Sequence, residues 1–334
     1  MTSDILTAYN RAAPFTASVK ECTLLSKPGS TKRTHHISLD LSGSGLTYEP
    51  GDAVGILPSN DPDLVDAILA AASRDERSLL TTTKNLSRLT SRFLEAAGLT
   101  FGSKEERLAY IASHDVLDVA EQVGSLPSGC FDHLAPLLPR FYSIASSQTL
   151  NPTSVDLLVA TFTREQAGKK RGGVASDFLV RADTVPLFIQ PSKFKPTQSP
   201  MIMIGPGTGV APYRAFLQND PEGNHWLFFG ERNRAYDFYY EDFFTSHPTL
   251  RLSTAFSRDQ EEKRYVQHCL LEEGADVWEW IASGASLFIC GDAKHMAKDV
   301  TAALETIITQ YGKEDGHAFM RALRKEGRLH LDVY

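Results

Sequence analysis

The sequence predicts two architectures in one chain: an antiparallel β-barrel carrying a helical insertion, then a doubly wound α/β domain built on a parallel sheet. Three changes of texture predict it. Short β-rich stretches broken by Ser-Gly and Pro-Gly turns fill residues 15–58 and return after residue 140. Between them, over about residues 60–138, the hydrophobic period is helical. Beyond about residue 200 short apolar runs alternate with amphipathic stretches, which is how buried parallel strands with covering helices read. The expected division is residues 1–198 for the barrel with its insertion at about 60–138, and 199–334 for the α/β domain.

Each element has a local reason. THHISLDLSGSGLTYEPGDAVGILP gives strands separated by tight turns, one of them at Pro50-Gly51. DLVDAILAAASRDERSLL and RLTSRFLEAAG carry the helical period, with Asp61-Pro62 as cap and first-turn pair. Strands are expected again over 140–146 and 154–164, and a helix near Ser176 in GGVASDFLVRA. After KPTQSP the alternation begins: MIMI then APYRAFLQ, HWLFFG then DFYYEDFF, LRLSTAF, and SLFIC then AKDVTAALETIITQYG. This is the pattern of a nucleotide-binding doubly wound fold.

Composition narrows the class. A chain of 334 residues with 42% apolar and 22% charged residues buries an ordinary core, and 23 Gly and 17 Pro are too few for collagen or a linker. Acidic residues outnumber basic ones, 41 to 34, and the net charge of -7 repels phosphate backbones, so no nucleic acid partner is expected. Cys22, Cys130, Cys269 and Cys290 show no CxxC and no Cys/His spacing, so no metal site is expected and the thiols read as reduced and cytoplasmic. MTSDILTAYNRAAPF lacks a basic and an apolar segment, and the apolar runs are far below membrane length, so no membrane association is expected.

The strongest local motif is Gly205-Pro206-Gly207-Thr208-Gly209-Val210-Ala211-Pro212, between the apolar MIMI and a helix. Glycines there let the backbone approach a ligand, and a helix N-terminus offers N–H groups to a pyrophosphate. The GxGxxG fingerprint fails at Val210, and a tight turn with no ligand is the alternative. Beyond LRLSTAF, Ser257, Arg258, Lys263 and Tyr265 could hold a phosphate monoester and stack on a base, which favours NADP over NAD. The alternative is a solvated loop neutralised by Asp259, Glu261 and Glu262. A minor reading makes Glu231 the ribose carboxylate of an NAD enzyme.

In the first domain, strand alternation sends Arg140 and Tyr142 to one face, and Phe141 and Ser143 to the other. Arg140 could meet a diphosphate and Tyr142 a flat ring. Gly172-Gly173-Val174-Ala175-Ser176 precedes a helix, with Ser176 as expected cap and phosphate donor. Two separate anion cradles point to two nucleotide-type ligands.

These motifs carry a resemblance. RFYSIASS, RGGVASDFL, IGPGTGVAPYRAFLQ, AFSRDQEEKRYVQ, LFICGDAKHMAKDV and the terminal LDVY stand in the order found in the FAD and NADP module of the diflavin reductases, a ferredoxin-NADP reductase-like family. The resemblance covers nearly the whole chain and lies nearest the sulfite reductase branch. It implies an NADPH-dependent flavoprotein oxidoreductase, with FAD on the barrel and NADP on the α/β domain. Carried over residue by residue, it implies that Arg140, Phe141, Tyr142 and Ser143 hold the flavin and its phosphates and that Leu158, Val159 and Ala160 lie along the FAD. Gly173, Val174, Ala175 and Ser176 would cradle its pyrophosphate. Gly207 and Thr208 fall in the NADP loop, Ser257, Arg258, Lys263 and Tyr265 at the 2′-phosphate and adenine, and Gln267 and Asp299 nearer the rest of the dinucleotide. Tyr334 would stack on the isoalloxazine until NADPH displaces it, and Ser143, Cys290 and Asp332 would surround the point of hydride transfer, orienting rather than attacking. Read without the resemblance, Cys290 is a small buried residue and Asp332 a surface carboxylate.

One departure stands out. Diflavin reductases carry an FMN-binding flavodoxin-like domain ahead of this module, whereas here the barrel is expected to begin within about the first fifteen residues, so no FMN domain is expected ahead of it and a shorter helical insertion is expected; a piece of a longer diflavin protein is the alternative. The resemblance then implies that single electrons leave to a separate acceptor protein, foremost a sulfite reductase haemoprotein, with a flavodoxin or a ferredoxin as alternatives. A reading of another class is a nucleotide-binding interaction protein without turnover.

Overall fold

Hydrophobic alternation builds the first domain. The computed structural model describes residues 9–73, 75–166, 168–198 and 200–334. Its first eight strands are β1 (Phe15–Leu24), β2 (Arg33–Asp40), β3 (Ala53–Ile56), β4 (Arg140–Ser143), β5 (Ser154–Thr161), β6 (Thr163–Gln166), β7 (Lys169–Gly172) and β8 (Thr184–Gln190). Six of them form an antiparallel sheet in the order β4-β3-β8-β1-β2-β5. The sheet closes on itself, because Ile144 bridges Leu157 and the Ala145 N–H donates to the Asp156 carbonyl at 2.8 Å. Closure pairs both edges, and Ile37, Leu39, Val54, Ile56, Leu157 and Leu187 fill the interior with no exposed surface.

The single strand expected over 154–164 is two, since the chain breaks at Phe162 and starts the separate β6–β7 hairpin. That hairpin leans on the helical insertion through Arg171, paired with Asp115 and Asp118, and through Lys169, 3.2 Å from Asp118. The insertion comprises helices Pro62–Leu69, Arg77–Thr82, Ser91–Ala96, Lys104–Ser113 and Val116–Val123 over a core of its own that includes Val65, Phe93, Val119 and Phe131. Asp61 caps the first of them, accepting from the Asp63 N–H at 3.0 Å, with Pro62 in the first turn as expected. No helix among the described residues is long and apolar enough to cross a membrane.

The second domain is a parallel sheet of β9 (Met201–Ile204), β10 (His225–Glu231), β11 (Leu250–Phe256), β12 (Ser286–Gly291) and β13 (Leu329–Val333), in the order β11-β10-β9-β12-β13. The order reverses at β9, so a crevice opens at the C-terminal ends of β9 and β12, the place where such sheets bind ligands. The terminal LDVY is the edge strand and the residue after it. β8 ends at Gln190 and β9 begins at Met201; the boundary expected between 198 and 199 falls at residue 199, outside the described residues.

The two domains share a core. Ala145 and Leu158 of the barrel, and Phe194 of the connection, pack with Tyr213, Phe216 and Phe288 of the sheet domain. Arg214, on helix Ala211–Asn219, donates to the Ala145 carbonyl at 2.6 Å and to Asp156 at 3.1 Å. At the turn after Pro50, Gly51 has φ +93°, and a Cβ there would overlap the Phe194 carbonyl. Gly51→Ala therefore strains the backbone and pushes on the domain junction, and we expect a loss of about 3 kcal/mol or more in denaturant unfolding. An unchanged midpoint would show that the junction yields freely.

Candidate active site

Two clefts flank the point where the domains meet. The first, of about 800 Å³, lies between barrel, insertion and the start of the sheet domain. Arg140, Phe141, Tyr142 and Ser143 all border it, although strand alternation alone would divide them; β4 is only four residues long and both its faces reach the cleft. Phe141 is 55% exposed and sits edge-on to Phe188 at 6.0 Å, leaving an uncovered ring on the cleft wall. Burial pushes the Tyr142 hydroxyl up to about 12, so it stays neutral. Leu158 and Ala160 line the cleft, but Val159 does not: the pleat turns its side chain into the barrel core.

Helix Val174–Arg181 aims its first turn at the same cleft. Ser176 is not its cap. Gly173 holds that position with no side-chain capping bond, and Ser176 lies inside the helix with Oγ donating to the Gly173 carbonyl at 3.2 Å. Burying a serine one turn in satisfies its hydroxyl locally and leaves the first helical N–H groups without a side-chain acceptor. A Cβ at Gly172 would overlap the Asp177 carboxylate and one at Gly173 would come 2.6 Å from Phe162, so a side chain at either position would have to displace these groups. Arg88 of the insertion and Arg164 of β6 also line this cleft. Neither stands in a local motif; only the fold brings them there.

Ser143 and Asp332 border the first cleft and belong to a three-residue cluster that the buried Cys290 completes. Ser143 Oγ donates to Asp332 Oδ2 at 2.8 Å, and Cys290 Sγ lies 3.8 Å from the same oxygen. Cys290 and Asp332 are register partners on β12 and β13, whereas Ser143 comes from the barrel. Burial, and then the charge of Asp332, raise the Cys290 thiol well above its ordinary range, so it is a neutral donor rather than a nucleophile. Tyr334 is tied down by backbone on both sides, its N–H to Gly291 and its carbonyl from Ala293, both at 3.1 Å. Its hydroxyl sits 3.1 Å from Thr208 Oγ1, and the residue is 65% exposed at the cleft mouth.

The second cleft, of about 510 Å³, brings together Gly207, Ser257, Arg258, Lys263, Tyr265, Gln267 and Asp299. Thr208 borders the first cleft instead. Gly207 takes the left-handed φ of +61°, and a Cβ at Gly209 would overlap the Cys290 carbonyl, so the loop presses against β12. The chain does not pass straight into the helix as expected; a 3-10 turn over Gly207–Val210 intervenes, with Val210 wholly buried in place of a third glycine. Asp259 accepts from Asn233 and the Arg234 N–H, and among the described residues Arg258 and Lys263 form no ion pair. The loop is thus not self-neutralised. Gln267 Nε2 donates to Asp299 at 3.3 Å. Lys32, from the β1–β2 connection, and Arg232 also line this cleft; the sequence carries no local signal for either.

The FAD binding domain family matches residues 8–100, and the oxidoreductase NAD-binding domain family matches residues 203–302. A barrel and a parallel sheet with one cleft each, matched by these two families, define the class: a two-domain oxidoreductase module that binds FAD and a nicotinamide nucleotide. Curated relatives narrow it. The sulfite reductase [NADPH] flavoprotein alpha-component of Bacillus subtilis is 37% identical over 98% of this chain and 62% of its own length. Those of Aliivibrio fischeri and Vibrio parahaemolyticus are 38% and 39% identical over 98% of the chain and 61% and 59% of theirs. The chain is a homologue of these flavoproteins, and it spans about three fifths of the length of the curated relatives it matches. The first alignment runs over 375 positions against 334 residues here, so that relative carries segments this chain lacks.

Of the four free cysteines only Cys22 is exposed. Native protein should therefore take up one maleimide quickly and three more only on denaturation, with Cys22 reacting faster as pH rises because its own thiol is raised by partial burial and by Glu21. Rapid native labelling of Cys290, read by peptide mass spectrometry, would contradict its burial.

Proposed function

We propose that the protein oxidises NADPH and passes the electrons singly to a separate acceptor protein, with FAD in the first cleft and NADPH in the second. The observation that carries this reading is the Ser143–Asp332–Cys290 cluster, built from both domains on the wall of the first cleft. Bound FAD would supply a two-electron acceptor able to release electrons one at a time.

The chain's own residues have distinct tasks. Arg140 and the first turn of helix Val174–Arg181 would hold the FAD phosphates, and Tyr142 and Tyr334 would offer flat rings on the cleft walls. Leu158 and Ala160 would lie along the cofactor. Asp332, held by Ser143, would stabilise positive charge developing on the nicotinamide, while the protonated Cys290 fixes its position. Thr208 anchors the Tyr334 hydroxyl, so the terminal ring is a cover that a nicotinamide must displace. Arg258 and Lys263, free of carboxylate partners among the described residues, suit the 2′-phosphate, with Tyr265 at the adenine. The acceptor we propose is a sulfite reductase haemoprotein, on the strength of the relatives' names, with a cytoplasmic setting suited to four unpaired thiols.

Anaerobic titration of the purified protein tests the reading. Its flavin absorbance should bleach quickly with NADPH and slowly with NADH; a colourless protein that cannot be loaded with FAD would overturn it. Reduced protein that is inert towards a sulfite reductase haemoprotein but fast with a flavodoxin would replace the acceptor. Arg258→Ala with Lys263→Ala should raise the KM for NADPH roughly 100-fold or more and that for NADH less than about threefold, since each lost charge-assisted bond costs about 1.5–3 kcal/mol. Equal losses would remove the 2′-phosphate from this pair. Tyr334→Ala should raise kcat/KM for NADH by roughly tenfold or more by removing the cover. An unchanged NADPH/NADH ratio would count against the gate.

A further inference from the structure

A carboxylate stands in the cleft that is to receive an anion. Glu231 ends β10, its side chain is 2% exposed, and a Cβ at Gly207 would lie 3.4 Å from its Oε1, so it faces the glycine loop. Three donors hold it. Lys32 Nζ pairs with Oε1, the Tyr239 hydroxyl donates to Oε1 at 3.3 Å, and the Arg232 N–H donates to Oε2 at 2.6 Å. Lys32 comes from the other domain and lines the same cleft. The Arg232 guanidinium is turned to Thr31 Oγ1 at 2.6 Å, leaving Lys32 as the cation set against the carboxylate.

We propose that Glu231 is an internal competitor for the pyrophosphate of the nicotinamide dinucleotide: it engages Lys32 in the free protein and must share or surrender that lysine when the dinucleotide enters. The inference rests on the reading of the second cleft as the NADPH site. A phosphate and a buried carboxylate cannot both be fully paired with one ammonium, so the carboxylate weakens binding by what it withholds. Tyr239 and the Arg232 N–H keep Glu231 partly satisfied after the exchange, which makes the exchange reversible. The pyrophosphate is common to NADPH and NADH, so Glu231 lowers affinity for both alike, whereas Arg258 and Lys263 discriminate between them. Glu231 is thus a positioning residue that acts through Lys32, not a ribose carboxylate.

The test is calorimetric titration of the FAD-loaded, oxidised protein with NADP+, NAD+ and ADP, the last carrying a diphosphate without a 2′-phosphate. Glu231→Gln, which keeps an acceptor for Tyr239 and Arg232, should tighten all three by a similar factor, roughly three- to tenfold, the scale of a partly buried charge interaction. A merely structural role would loosen them instead. Lys32→Met should weaken all three, and adding Glu231→Gln to Lys32→Met should yield no tightening. Unchanged or weaker binding by Glu231→Gln, or a gain confined to NADP+, overturns the proposal. Should Glu231→Gln fail to hold FAD, Lys32→Met decides alone: binding equal to that of the parent protein overturns it. A parent protein that binds neither NADP+ nor NAD+ would instead sink the reading of the cleft.

Discussion

The contact on which the rest depends is the weld between barrel and sheet domain. Ser143 and Asp332 belong to different domains, yet their oxygens lie 2.8 Å apart, a tolerance that a flexible hinge would not hold. What holds it is a shared core, in which Phe194 stands 5.3 Å from Phe288 and 5.7 Å from Phe216, and a partly buried cation, Arg214, bonded to Ala145 and Asp156 across the junction. A buried ion pair alone is weak evidence of stability, but its directional bonds fix register where apolar packing is tolerant of sliding. Asp156 is the barrel's side of that bond, and its backbone carbonyl accepts the hydrogen bond that closes the barrel. Closure and docking thus meet at one residue.

Electrostatics in this acidic chain are local. The net charge of -7 says little about either cleft, where Arg88, Arg140 and Arg164 line one wall and Lys32, Arg232, Arg258 and Lys263 line another. The ionisable groups at the junction itself are held neutral or paired: burial keeps Tyr142 and Cys290 protonated, and Asp332 has its hydroxyl donor. Such a site suits a transfer in which the residues orient and polarise without forming a bond to what they hold.

Much of this was legible in the residues. Period and punctuation located the strands, the Asp61 cap and the glycine loop, because those features are decided within a few residues of themselves. Sequence reasoning failed where a neighbour in space decided the outcome. Phe162 ends β5 inside an apparently continuous strand, Ser176 cedes the cap to Gly173, and Val159 turns away from the cleft that its neighbours line. Cys290 and Asp332 illustrate the opposite case, since a buried thiol and a carboxylate near the chain end acquire meaning only as register partners. Lys32, Arg88 and Arg164 were unreadable for the same reason; each reaches its cleft from an element far away in sequence.

The helical insertion leaves β3 at Ile56 and rejoins β4 at Arg140, and these two residues are direct partners across the antiparallel ladder. To the barrel, then, an excursion of about eighty residues is topologically a hairpin loop, whose closing entropy grows only with the logarithm of its length. With its own core, the insertion is a cassette that lineages can lengthen, trim or re-face without disturbing the strand pair it springs from. The barrel can therefore stay constant across relatives while the helical face beside the first cleft is free to be re-cut for different partners.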